Sequence, residues 1–142
     1  MIRTANAEWN GGLKDGTGHM KTGTGAVDGQ FSFNSRMGDG TTGTNPEELI
    51  AAAHAGCYSM QFSAMLEHAG YPANSVQTSA KVHFGPVDGG FAIGKIELAT
   101  TGDVPGISAD EFESLAQSAK VNCPVSKALS AVEITLTTTL SK

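Results

Sequence analysis

An α+β fold is predicted, with an antiparallel-leaning sheet, a long buried central helix and a second helix, all in a single domain over 1–142. Three observations predict it. An apolar run at 49–66 is framed by a helix start and a helix stop. Residues 76–84 alternate apolar and polar, and 132–140 do so more loosely, as half-buried strands do. The order strands, helix, two strands, helix, strand then points to an α+β domain.

Residues 1–36 are rich in glycine and threonine and are predicted to form short strands at 4–9, 17–22 and 30–35. Turns fall at Asn10-Gly11-Gly12 and Val27-Asp28-Gly29. Residues 37–43 are a glycine-rich loop, and no Gly-Lys-Ser/Thr follows to make it a phosphate loop.

The central helix is predicted over 46–69. Asn45 suits the N-cap, Pro46 the first helical position, and Glu48 the reciprocal place in a capping box. Gly70, with Pro72 beyond it, ends the helix. Its sequence is apolar on nearly every face, which predicts burial on every side. One sheet and one other long helix cannot cover all of that surface, so a homodimer is expected in which this helix packs on the partner chain.

In the strand at 76–84, Val76, Thr78, Ala80, Val82 and Phe84 share a face. The next strand, 91–99, changes phase at Gly94, which predicts a bulge there. Ser108 and Glu111 propose a capping box for a helix at 109–121 that buries Phe112, Leu115, Ala116 and Ala119. Asn122 ends it, Cys123-Pro124 restarts a short helical turn, and a strand at 132–140 closes the chain.

Charge and composition exclude several classes. The net charge is −5 and the basic residues are scattered, against a nucleic-acid partner. The apolar stretch at 49–66 contains His54, Gln61 and two serines, so it is expected to be a core helix rather than a membrane span. The first dozen residues lack the apolar core of a signal peptide, so a cytoplasmic, reducing setting is expected. Two cysteines in such a setting are catalytic, redox-active or inert rather than a structural staple.

The residues that can carry chemistry are few. Cys57, in the middle of the central helix, is either a small core hydrophobe or a nucleophile that needs a nearby cation. Cys123 precedes Pro124, where the first amides of a helix favour a negative sulfur. It is otherwise a buried loop cysteine, and the two sulfurs can form a reversible disulfide if the fold brings them close. Of the two arginines, Arg3 is expected at the surface. Arg36 is either a surface charge or a desolvated fork for two acceptors. Glu48 is assigned to the cap, which leaves Glu47 free to pair elsewhere. Glu47 and Cys57 stand ten residues apart, about 15 Å along a helix, so a shared site needs Arg36 to bridge them or Glu47 to come from a partner chain. His54 is read as a buried, hydrogen-bonded histidine; the alternatives are a base for Cys57 and a metal ligand, for which the spacing is poor. His19, His68 and His83 carry no signal.

Taken together, Thr44-Asn45-Pro46-Glu47-Glu48-Leu49-Ile50, Ala52-Ala53-His54-Ala55-Gly56-Cys57 and Cys123-Pro124-Val125-Ser126 resemble the OsmC/Ohr family of osmotically inducible and organic hydroperoxide resistance proteins. Phe33-Asn34-Ser35-Arg36 and Val104-Pro105-Gly106-Ile107 extend the resemblance over essentially the whole chain, closest to the OsmC branch. In the Ohr branch the arginine lies earlier; here 11–18 offer only Lys14, which leaves Arg36. Tyr58 stands where phenylalanine is expected.

The resemblance implies an intertwined homodimer with sites at the subunit interface and no metal or organic cofactor. It implies that Cys57 attacks the peroxide, Cys123 resolves the product, Arg36 activates the thiolate and Glu47 holds Arg36. The activity it implies is a thiol-dependent peroxidase that reduces organic hydroperoxides, with an external dithiol of lipoyl type as the reductant the family suggests. Phe31, Phe33, Met37, Met60 and Phe62 are the candidates for an apolar setting that favours them over hydrogen peroxide. A non-enzymatic redox sensor or binding protein using the same cysteine pair is the alternative.

Overall fold

A computed structural model of the chain describes residues 1–38 and 42–141, in two compact units, Met1–Leu49 and Ile50–Lys142. Part of the predicted 37–43 loop lies outside the described residues.

The first unit is an antiparallel meander of β1 (Ala5–Asn10), β2 (Thr17–Thr22) and β3 (Asp28–Ser32). Gly18 of β2 sits opposite both Trp9 and Phe31, whose rings pack with centroids 5.4 Å apart. A β-carbon at Gly18 would lie 2.4 Å from the Phe31 ring, so only glycine lets the two aromatics close over the strand.

The third strand is shorter than expected. It ends at Ser32, and α1 (Phe33–Met37) begins, carrying Arg36 in its last turn. The cause is a reciprocal cap: the Ser32 hydroxyl accepts from the Ser35 amide, and the Ser35 hydroxyl accepts from the Ser32 amide. Ser35 is buried; its hydroxyl also reaches the Thr44 carbonyl at 2.8 Å, and its own carbonyl accepts from the Asn45 side chain. The short helix is thereby tied to the chain entering the next one.

That next element, α2 (Pro46–His68), is the predicted central helix. Asn45 caps it, its side-chain oxygen accepting from the Glu48 amide at 2.8 Å. The reverse half of the expected box is not made. The Glu48 carboxylate accepts instead from the Thr44 hydroxyl.

In the second unit, β4 (Ser75–Val87) and β5 (Gly90–Asp103) form an antiparallel hairpin. β6 (Glu133–Ser141) joins β5 in parallel after α3 (Ala109–Asn122) and α4 (Pro124–Ala128). The pairing skips Gly94, with His83 opposite Lys95 and Phe84 opposite Ile93, so the bulge is where the sequence phase changes. Among the described residues the strands therefore form two three-stranded sheets rather than one, the first antiparallel and the second mixed.

The core of this unit gathers one stripe of α2 at four-residue spacing, Tyr58, Phe62 and Leu66, with Ile96 and Leu98 of β5 and Phe112, Ala116 and Ala119 of α3. Phe62 and Phe112 meet edge to face at 5.1 Å. Gly102 lets α3 approach β5, since a β-carbon there would lie 2.6 Å from the Phe112 ring. A hydroxyl ladder runs from Ser59 on α2 to Thr78 on β4 and Thr100 on β5.

The expectation that α2 is buried on every side is not met within one chain. Ala52, Ala53, Gly56, Met60 and Ala64 are exposed, Met60 at 76%. Apolarity distributed as alanine and glycine does not say which face meets the sheet. Among the described residues no helix is long and apolar enough to cross a membrane.

Candidate active site

Pro124 shapes the segment that carries Cys123. A residue before proline is pushed out of the helical region, and Cys123 has φ −58° and ψ 122°, breaking α3 from α4. Its amide still donates to the Ala119 carbonyl, and its sulfur is fully buried. Proline then fills the first position of α4 and leaves the next amides without partners inside the helix.

Cys57 lies on α2 beside the buried stripe, half-buried, and its thiol is within interaction range of both the Cys123 sulfur and the Val125 backbone amide. The structure thus brings the two cysteines together, and both are free thiols. The helix-start amide of Val125 acts on the Cys57 sulfur, whereas the sequence suggested that such amides would favour the Cys123 sulfur. Burial pushes the Cys57 thiol above its ordinary pKa, the neighbouring Cys123 adds to the rise, and the Val125 amide offsets part of it.

His54 and Ser126 stand three residues from Cys57 and Cys123 respectively. His54 is fully buried, and its Nε2 lies 2.8 Å from the Ser126 hydroxyl, as the reading of a hydrogen-bonded histidine anticipated. Burial lowers its pKa and so favours the neutral imidazole. Val125 and Ser126 lie in the motif that carries the resemblance, without a role read from the sequence; Pro124 at a helix start was the available signal that their amides are unclaimed.

In the first unit, Arg36 and Glu47 pair through two nitrogens. Nη2 donates to Oε1 at 2.7 Å, and Nε lies 3.2 Å from both carboxylate oxygens. Glu47 is buried at 8% exposure, while the Arg36 side chain is 41% exposed. Glu48 stays with Thr44, so the carboxylate expected to be free for Arg36 is the one that holds it. Arg36 and Glu47 belong to the first unit, Cys57 and Cys123 to the second.

Arg3 is exposed; His19 pairs with Asp28, and His83 with Glu97, both at the surface. The Tyr58 hydroxyl donates to the Ala116 carbonyl, which fixes the ring in the core. Phe62 is also a core residue, so it does not line an open cleft; Met37 and Met60 are exposed.

A family model described as "OsmC-like protein" matches residues 38–138. The chain is 48% identical over 135 residues to "Peroxiredoxin OsmC" of Escherichia coli K12, covering 94% of this chain and 93% of that protein. It is 33% identical over 141 residues to "Organic hydroperoxide resistance protein" of Xanthomonas axonopodis pv. citri, covering 96% and 94%. The crystal structure of the organic hydroperoxide resistance protein OhrB of Bacillus subtilis superposes with a TM-score of 0.72 at 25% identity, over 97% of this chain and 98% of that one.

Proposed function

The chain belongs to the OsmC-like family, and on that premise we propose that it is a thiol-dependent peroxidase that reduces organic hydroperoxides to alcohols. The observation that carries this reading is the Cys57 sulfur against the Cys123 sulfur, both as free thiols. The names of the relatives, a peroxiredoxin and an organic hydroperoxide resistance protein, point the same way.

The thiolate of Cys57 attacks the outer peroxide oxygen. The O–O bond breaks, the alkoxide takes a proton, and Cys57 is left as a sulfenic acid. Cys123 displaces the hydroxyl of that sulfenic acid as water, giving the Cys57–Cys123 disulfide. An external dithiol of lipoyl type returns both residues to thiols.

The first step needs a thiolate, and burial of Cys57 in its own unit favours the thiol. At an ordinary pKa of roughly 8.5 only about 3% is ionised at pH 7, and burial lowers that fraction further. Arg36 is proposed to supply the missing charge and to donate hydrogen bonds to the peroxide oxygens, with Glu47 fixing its fork. The exposed apolar face of α2 supports an intertwined homodimer with the sites at its interface. A cytoplasmic location fits a cycle that needs reduced thiols.

Dithiol-driven consumption of cumene hydroperoxide, beside hydrogen peroxide, tests the reading. Many turnovers per chain are expected with the organic peroxide, fewer with hydrogen peroxide, and none in Cys57→Ser. Stoichiometric consumption with excess dithiol would favour a redox sensor instead.

A further inference from the structure

His54 precedes Cys57 by three residues on α2, and Ser126 follows Cys123 by three on α4. One hydrogen bond of 2.8 Å, between His54 Nε2 and the Ser126 hydroxyl, therefore joins the two segments that carry the sulfurs. Both residues are buried, His54 at 0% and Ser126 at 7% exposure.

The pair is poorly built for stability alone. His54 Nδ1 is buried with no hydrogen-bond partner among the described residues. A buried, half-satisfied imidazole contributes little net stability compared with an apolar side chain of similar volume. Of the two neutral tautomers, the one protonated at Nε2 donates to Ser126 and leaves only a bare lone pair at Nδ1. The other leaves a buried N–H without an acceptor, the costlier defect. The favoured tautomer thus makes His54 a directional donor across the α2–α4 junction.

We infer that His54 and Ser126 are positioning residues that hold the Cys123 segment against the Cys57 segment, so that disulfide closure outpaces further oxidation. The inference rests on the peroxidase reading above. After the first step the Cys57 sulfenic acid has two fates. In one, the Cys123 thiol loses its proton, an S–S bond forms, the S–O bond breaks and water leaves. In the other, a second hydroperoxide adds another oxygen to Cys57, giving a sulfinic acid and an alcohol. The first route depends on how closely the two sulfurs are held, and the second does not. Among the described residues neither His54 nor Ser126 is hydrogen-bonded to Cys57 or Cys123, so they act through the segments they join.

Rapid-quench oxidation of the full-length protein by cumene hydroperoxide tests this, with dimedone trapping of the sulfenic acid and peptide mass analysis. Ser126→Ala removes a single oxygen. It is expected to slow closure about tenfold relative to the first oxidation of Cys57, the scale of one lost hydrogen bond, and to raise the Cys57 sulfinate in the same proportion. His54→Leu should do the same. His54→Gln, whose amide nitrogen reaches about as far as Nε2, should recover most of the closure rate. A merely structural pair would lower the melting temperature without moving the ratio of disulfide to sulfinate. If folded Ser126→Ala closes at the wild-type rate with no added sulfinate, the positioning role is overturned. If the wild-type protein does not oxidise at Cys57 at all, the peroxidase reading itself fails, and this inference with it.

Discussion

At the Cys57 sulfur, burial and the neighbouring Cys123 oppose ionisation, and the Val125 amide favours it without cancelling them. A thiol below its pKa gains thiolate about tenfold for each unit that the pH rises. If Arg36 supplies the compensating charge, wild-type Cys57 is already largely ionised near neutrality, and its alkylation rate is nearly flat between pH 7 and 8. In Arg36→Lys a mobile point charge replaces the fork that Glu47 holds. That variant should alkylate more slowly at pH 7 and gain about tenfold by pH 8, read as iodoacetamide adduct on the Cys57 peptide. Superimposable profiles for the two proteins would remove Arg36 from the site. The Arg36–Glu47 partnership was implied by the family resemblance; the residues alone showed only that the cap claims Glu48 and leaves Glu47 free to pair. The Val125 amide was not legible in the sequence, since which sulfur a helix start faces depends on how its segment folds back, and no local spacing encodes that.

At the scale of the element, α2 shows both what sequence pattern reveals and what it conceals. Its bounds were readable from Asn45, Pro46 and Gly70, and the Asn45 cap is made as expected. Its buried face was not readable, because alanine and glycine populate every side and leave no amphipathic stripe to point inward. The strand that became α1 was missed for a different reason: Ser32 and Ser35 cap each other, a local hydrogen-bond competition that overrides the aromatic β-propensity of Phe31 and Phe33. The open face of α2 makes its own prediction. With Met60 exposed at 76% in one chain, a second copy packed on this helix is the proposed cover. Sedimentation of the native protein at micromolar concentration should give the dimer mass, and Met60→Glu should shift it toward monomer. A native protein that sediments as a monomer would contradict the proposed assembly.

Across the whole molecule, the order of elements and the clean alternation at 76–84 were enough to identify the α+β class, and the phase change at Gly94 located the bulge. The division of the strands into two sheets was not evident, because pairing partners are set by long-range closure rather than by any strand's own pattern. What the fold accomplishes chemically is to carry residues 57 and 123, 66 positions apart in sequence, to one place in the second unit. Peptide mapping under non-reducing conditions, after one equivalent of cumene hydroperoxide, tests that most directly. The account predicts an intrachain Cys57–Cys123 crosslink formed in nearly every chain and reversed by a dithiol. Two unmodified thiols, or a disulfide found only between chains, would contradict it.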